Sequence, residues 1–216
     1  MTEARLDLLR ACYTSVLHDV MRAMGLRNFT LPPRLRPLQP EGVLTGPAFT
    51  VEGRIDESAD PHATLLAWTG LLSKARPGHV WAAQPHNQRV AQMGELSAET
   101  LHRKGVLGCV VDGGLRDTNF ILRLGFPCWG TFHTPRDVVG CWLPTGTDVP
   151  ILIDDVLIRP GDWLHGDRDG MVCIPAERLD EVAAKATEAM GTESKVRRAI
   201  LDGVDPQEAY LRHGKF

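Results

Sequence analysis

Residues 105–132, GVLGCVVDGGLRDTNFILRLGFPCWGTF, constrain the fold more than any other part of the chain. VLGCVVDGG is an apolar, strand-like run ending in two glycines; RDTNFILRLG has helical spacing and stops at Gly125; FPCWGTF is apolar again. Strand, helix and strand within about 25 residues form a βαβ unit, which favours parallel pairing of its strands. The expected fold is therefore a single layered α/β domain over residues 1–216, with a mixed β-sheet core flanked by helices.

The rest of the chain fits that core. Leu6, Leu9, Val16, Val20, Met21 and Met24 recur at helical spacings up to Gly25, as one amphipathic helix or two short ones broken near Thr14. LPPRLRPLQPEG carries four prolines and reads as an extended connector. VLTGPAFTVEGRI reads as a bent strand, HATLLAWTGLLSKA as a helix, and GELSAETLHRKG as a helix with Leu96 and Leu101 as apolar anchors and Gly105 as its stop. Turn-separated strands follow, then a helix over 176–190 and a charged tail over 191–216.

Composition narrows the class of function. A net charge of −3, with no Lys/Arg-rich run, gives no footprint for nucleic acid or an anionic membrane. No window approaches the ~18 apolar residues of a membrane span, and the acid-containing N-terminus resembles no signal peptide, so a cytoplasmic location is expected. The five cysteines form no CxxC pair and read as buried free thiols. Neither GxGxxG after a strand, nor GxxxxGK, nor GxSxG occurs, so nucleotide sites and a serine nucleophile have no support.

Arg116 and Asp117 stand together where the strand of the βαβ unit gives way to its helix, at the sheet edge where α/β proteins bind ligands. Asp117 could simply cap the helix that follows it, with Arg116 as its solvated neighbour. Alternatively Asp117 binds a hard cation while Arg116 binds a carboxylate or a developing oxyanion. Glu95 lies in the first turn of the preceding helix, whose N-terminal N–H groups, from about Glu95 to Ala98, form an anion site. Glu95 could equally be a favourable charge at a helix N-terminus. If the two helices follow neighbouring strands, their N-termini face one pocket. The glycines before Arg116 would then provide a tight exit for close approach to a small ligand. HGDRDG at 165–170 lacks the first and last ligands of a calcium loop, and Asp154-Asp155 reads as a solvated hairpin turn. His86 and Asn87 read as a polar surface loop, and the five tryptophans as buried core.

Taken in order, LTGPAFTV, GELSAE, GVLGCVVDGGLRD, LGFPCWG and RPGDWLHGDRDGMVCIP resemble the RraA-like family, which includes the regulator of ribonuclease activity A and metal-dependent 4-hydroxy-4-methyl-2-oxoglutarate aldolases. The resemblance implies a swivelling β/β/α fold and a homo-oligomer, trimer or hexamer. In the aldolases an acid, twenty residues and Arg-Asp form the active-site signature, matched here by Glu95 and Arg116-Asp117 with Glu in place of the usual Asp. By resemblance, Asp117 is the ligand of Mg²⁺ (or Mn²⁺ or another divalent metal), and Arg116 contacts the keto-acid end of the substrate. The amides after Gly94, at Glu95, Leu96 and Ser97, hold its carboxylate. An acid in the neighbouring subunit's tail also belongs to the family's metal surroundings, and Glu193 is the match.

The implied reaction cleaves a 4-hydroxy-2-oxo acid, of the 4-hydroxy-4-methyl-2-oxoglutarate or 4-carboxy-4-hydroxy-2-oxoadipate type, to pyruvate and a second oxo acid. Its enolate needs oxyanion stabilisation and the C4 hydroxyl needs a base, roles matched by Arg116 and Glu95. Oxaloacetate decarboxylation passes through the same enolate. The alternative is a non-catalytic regulator that binds an RNA-degrading enzyme. A methyltransferase role has no glycine-rich adenosyl-binding turn to support it.

Overall fold

A computed structural model describes residues 3–214. The chain opens with α1 (Glu3–Arg10) and α2 (Thr14–Ala23), so the N-terminal periodicity resolves into two helices. The proline-rich connector contributes only β1 (Arg36–Pro37), before the long β2 (Leu44–Ile55). α3 (Pro61–Lys74) starts where proline is tolerated, with the Asp60 carboxylate accepting from the Ala63 N–H. Then come β3 (Val80–Gln84), β4 (Ala91–Met93), α4 (Glu95–Arg103), β5 (Gly108–Val111), β6 (Gly114–Leu115), α5 (Thr118–Leu124), β7 (Cys128–Gly130) and β8 (Phe132–His133). β9 (Trp142–Thr147), the hairpin of β10 (Ile151–Ile153) and β11 (Val156–Ile158), β12 (Trp163–Asp167) and β13 (Gly170–Ile174) complete the strands.

The main sheet runs β1-β7-β5-β3-β2-β12-β13, with β9 also on β2. Its centre, β2, β3, β5 and β7, is parallel, and Cys109 faces Cys128 across the β5–β7 pair expected of the βαβ unit. Strands covered on both faces read as unbroken apolar runs. In β3, Trp81 and Ala83 enter the core that also holds α3, α4 and α5 residues, while Val80 and Ala82 enter a second core with the β10–β11 hairpin. A third core packs α1 and α2 on β12, β13 and α6 (Leu179–Leu201). All five thiols are free, four of them buried, and burial pushes the Cys12 and Cys128 thiols up.

A second sheet positions the site. After short breaks, β3, β5 and β7 are followed by β4, β6 and β8, which pair with each other in parallel as β4-β6-β8. The expected continuous strand through the two glycines is thus split at Asp112-Gly113. The break is fixed by the Asp112 carboxylate, which accepts from Arg34 Nε and Nη2 and from Gln84 Nε2, each at 2.9 Å.

Three further expectations need correction. Gly113 and Gly114 do not line the cleft described below: a Cβ would meet Pro85 Cγ at 2.9 Å or Phe132 Cε2 at 2.7 Å, so these glycines serve internal packing. Leu96 is not an anchor of α4, being 76% exposed; Ala98 and Leu101 are the buried residues of that helix. The helix expected over 176–190 runs as α6 to Leu201, and α7 (Pro206–His213) follows with its N-terminus capped by Asp205, so much of the charged tail is helical. Among the described residues, no helix is long and apolar enough to cross a membrane.

Candidate active site

α4 begins directly after β4, and Arg116-Asp117 follows β6 directly. Because β4 and β6 are neighbours, with Met93 opposite Leu115, both strands deliver these residues to the same edge. The Arg116 N–H donates to Met93 O at 2.9 Å, tying the two exits together. The strand ends that sequence reasoning singles out for ligands are here those of the small sheet, not the large one.

Asp117 adopts a left-handed conformation, φ 53°, which Asp tolerates better than most residues. Its side chain does not cap α5, the helix it precedes. Instead Oδ2 accepts from the Glu95 N–H at 3.1 Å, capping the neighbouring helix α4, and from Arg116 Nε at 3.2 Å. Gly94 makes room for this: a Cβ there would lie 2.7 Å from Asp117 Oδ2 and 2.9 Å from Arg116 Cγ. The N–H groups of Leu96 and Ser97, in the first turn of α4, have no acceptor within an α-helix.

Asp137 joins the site and was not foreseen. Its Oδ2 lies 3.0 Å from Arg116 Nη1, while its Oδ1 accepts from the Val139 N–H at 3.1 Å. Arg116 is therefore held between two carboxylates. The only local sign was an Asp placed to turn the loop after TPR, a pattern shared by many solvent-facing loops.

These groups line a cleft of about 450 Å³. Leu65, Trp68, Leu72 and Val138 supply apolar walls, and Trp68 Nε1 donates to Ser97 Oγ at 2.9 Å, fastening α3 to α4. Every predicted residue near the two strand exits lines it: Gly94, Glu95, Leu96, Ser97, Arg116 and Asp117. Glu193 does not; it lies on α6 and is not part of the cleft within one chain. His86 contacts Glu52 at 3.1 Å, and Asn87 is buried as a turn-forming side chain, so neither belongs to the site.

Glu95, Asp117 and Asp137 share this lining with Arg116, whose guanidinium is paired with two of them, Asp117 and Asp137. Among the described residues no group of three or more His, Cys, Asp or Glu could cage a metal. Mg²⁺ asks for less, since it binds through one or two carboxylates and keeps several waters. The hard oxygen donors and the excess of acidic over basic side chains in the lining fit such a cation, which Asp117 would hold.

The RraA-like family model, described as Aldolase/RraA, matches residues 14–173. A Halalkalibacterium halodurans protein provisionally named 4-hydroxy-4-methyl-2-oxoglutarate aldolase is 32% identical, over 98% of this chain and 97% of its own. Among solved structures, Streptomyces coelicolor RraAS2 is described as an unusual member of the RNase ES inhibitor RraA protein family. It superposes with TM-score 0.81 at 26% identity, over 91% of this chain and 98% of its own. An uncharacterized protein from Pseudomonas syringae pv. tomato shares the fold, with TM-score 0.87 at 22% identity over 98% of this chain and 95% of its own.

Proposed function

The chain belongs to the RraA-like family, and we propose that it is a divalent-metal-dependent aldolase that cleaves 4-hydroxy-2-oxo acids to pyruvate and a second oxo acid, with oxaloacetate decarboxylation as a companion activity. The observation that carries this reading is the convergence of Arg116 and Asp117 with the N-terminus of α4, in a cleft where two carboxylates hold one guanidinium.

Asp117, with Glu95 adjacent, would hold Mg²⁺ or Mn²⁺, which when bound polarises the substrate's keto oxygen as a Lewis acid. Arg116, braced by Asp117 and Asp137, orients the keto-acid end and stabilises negative charge developing on its oxygen. The Leu96 and Ser97 N–H groups bind the substrate carboxylate at the helix N-terminus. Glu95 receives the C4 hydroxyl proton as the C3–C4 bond breaks. The apolar walls from α3 exclude water from the reacting carbons. In a trimer or hexamer, a neighbouring copy would bring Glu193 towards the cation.

The test is to supply Mg²⁺ with oxaloacetate or 4-hydroxy-4-methyl-2-oxoglutarate and follow pyruvate. Metal-dependent pyruvate is expected; none across the panel, or full activity in Asp117→Ala, overturns the reading. The Streptomyces relative's description supplies the rival, a regulator of a ribonuclease. Ribonuclease inhibition that survives both chelator and Asp117→Ala would favour it.

A further inference from the structure

Among the described residues three hydroxyl side chains line the cleft: Thr69, Ser97 and Thr100. Two of them commit their proton within their own helix. Thr69 Oγ1 donates to Leu65 O at 2.9 Å, and Thr100 Oγ1 donates to Leu96 O at 2.7 Å. Ser97 has the opposite role, because its Oγ accepts the Trp68 Nε1 proton at 2.9 Å. A hydroxyl has one proton to donate besides the lone pairs that receive, and at Ser97 only the receiving side is engaged. Its place in α4 explains the difference. Ser97 precedes the first bond of the helix, from the Ala98 N–H to Gly94 O, and the carbonyl four residues back, Met93 O, already accepts the Arg116 N–H at 2.9 Å. Among the described residues no acceptor takes the Ser97 hydroxyl proton.

Trp68 fixes which way that proton can turn. The indole is 8% exposed, and its ring stands edge-on to Trp81 and Trp142, with centroids 6.2 and 5.8 Å away. Packed in this way it has little freedom to rotate. An indole N–H only donates, so the serine proton cannot be directed at it. Donation into the hydroxyl also polarises it, which strengthens the bond that the hydroxyl itself makes to an anionic acceptor.

Resting on the aldolase reading, we propose that Ser97 is a substrate-binding residue whose hydroxyl donates to the substrate carboxylate, and that Trp68 is the positioning residue that presents it. The carboxylate assigned to the Leu96 and Ser97 N–H groups then meets a third donor, on a residue whose own amide already serves it. Every 2-oxo acid of the class carries this carboxylate, and it takes no part in the bond that breaks. The contact is therefore made alike in the ground state and the transition state, and it sets affinity rather than turnover.

The experiment measures two quantities with Mg²⁺ present: KM and kcat for cleavage of 4-hydroxy-4-methyl-2-oxoglutarate, and the Kd of pyruvate by titration calorimetry. Ser97→Ala keeps both amides and places the best helix former in α4. KM and the pyruvate Kd are expected to rise together about tenfold, as for one lost hydrogen bond to a charged group, with kcat changed less than about twofold. Trp68→Phe keeps an aromatic ring without the indole proton; it should raise both constants about threefold in the wild-type background and no further in Ser97→Ala. A serine that only ties α3 to α4 would lower the melting temperature of Ser97→Ala and leave KM and Kd unmoved. That result overturns the inference, as does a fall in kcat alone, or a Trp68→Phe effect of equal size in both backgrounds. Each of these leaves the aldolase reading intact. A wild-type protein that neither cleaves the substrate nor binds pyruvate overturns the aldolase reading, and this inference with it.

Discussion

Two arginine–carboxylate clusters sit on either side of the glycine pair that follows β5. In the first, Asp112 is 4% exposed and both its oxygens are consumed, by the Arg34 fork and by Gln84 Nε2. Arg34 is completed by Asp154 at 2.6 Å. In the second, Asp117 keeps a side chain 36% exposed, and its two bonds, at 3.1 and 3.2 Å, both fall on Oδ2. Among the described residues nothing pairs with its Oδ1. The same residue types thus build a closed brace and an open site, and unused hydrogen-bonding capacity with solvent access distinguishes them.

Removing each carboxylate should separate the two roles. Asp117→Ala is expected to lower kcat/KM for the keto-acid reaction about 1000-fold, near 4 kcal/mol of transition-state stabilisation, while loss of the α4 cap costs only about 1 kcal/mol in urea unfolding. Asp112→Ala should do the reverse, costing roughly 2–4 kcal/mol in urea unfolding, because charged hydrogen bonds are lost around a buried position. A large activity loss in Asp112→Ala without that destabilisation would erase the distinction.

A buried group whose burial outweighs the pull of a nearby carboxylate, Asp167, marks a third case. His165 is fully buried, bonded to Thr45 Oγ1 at 2.7 Å, and burial holds its imidazole down to about 4. The unfolded chain takes up a proton near pH 6.5 that the folded chain resists, so stability falls as pH drops from about 6.5 towards 4, by on the order of 3 kcal/mol. Urea midpoints measured across that window should show the slope, and His165→Gln should flatten it.

Gly94→Ala tests the open site without deleting a functional group. The new Cβ forces Asp117 Oδ2 and Arg116 Cγ to move, so activity should fall about 10- to 100-fold while far-UV circular dichroism is retained. Gly94 has ordinary extended backbone, so any loss comes from the displaced side chains. The smallest effect is expected at the exposed edge of the closed brace. Asp154→Asn should change stability by less than about 0.5 kcal/mol at neutral pH. The Arg34 hydrogen bond lowers the Asp154 carboxyl below its ordinary 3.8, so its contribution is present above that pH and is lost as pH falls through the lowered value. A pH-independent difference between wild type and variant would show that Arg34 gains nothing from this partner.

The parallel pairing of β5 with β7 was legible because a buried parallel strand carries its signal in consecutive apolar residues, and Gly125 ends α5 where the glycine stands. Glu95, Arg116 and Asp117 were legible because their strands are adjacent and each exits into a helix. Asp137 was not, since its meeting with Arg116 depends on how a distant loop folds back, and no periodicity encodes that. Leu96 misleads because helical spacing marks a candidate buried face without saying how far the covering layer extends. The glycines mislead similarly, since close approach of Pro85 and Phe132 demands glycine as surely as a ligand would.

The cap that Asp117 places on its neighbour's helix makes the first amide of α4 a gauge of the site. A ligand or cation that draws Oδ2 away would release the Glu95 N–H, and its exchange with deuterated solvent would quicken. One that instead settles on the remaining oxygen would leave that amide protected. Glu95 exchange therefore distinguishes displacement from addition, before any chemistry has taken place.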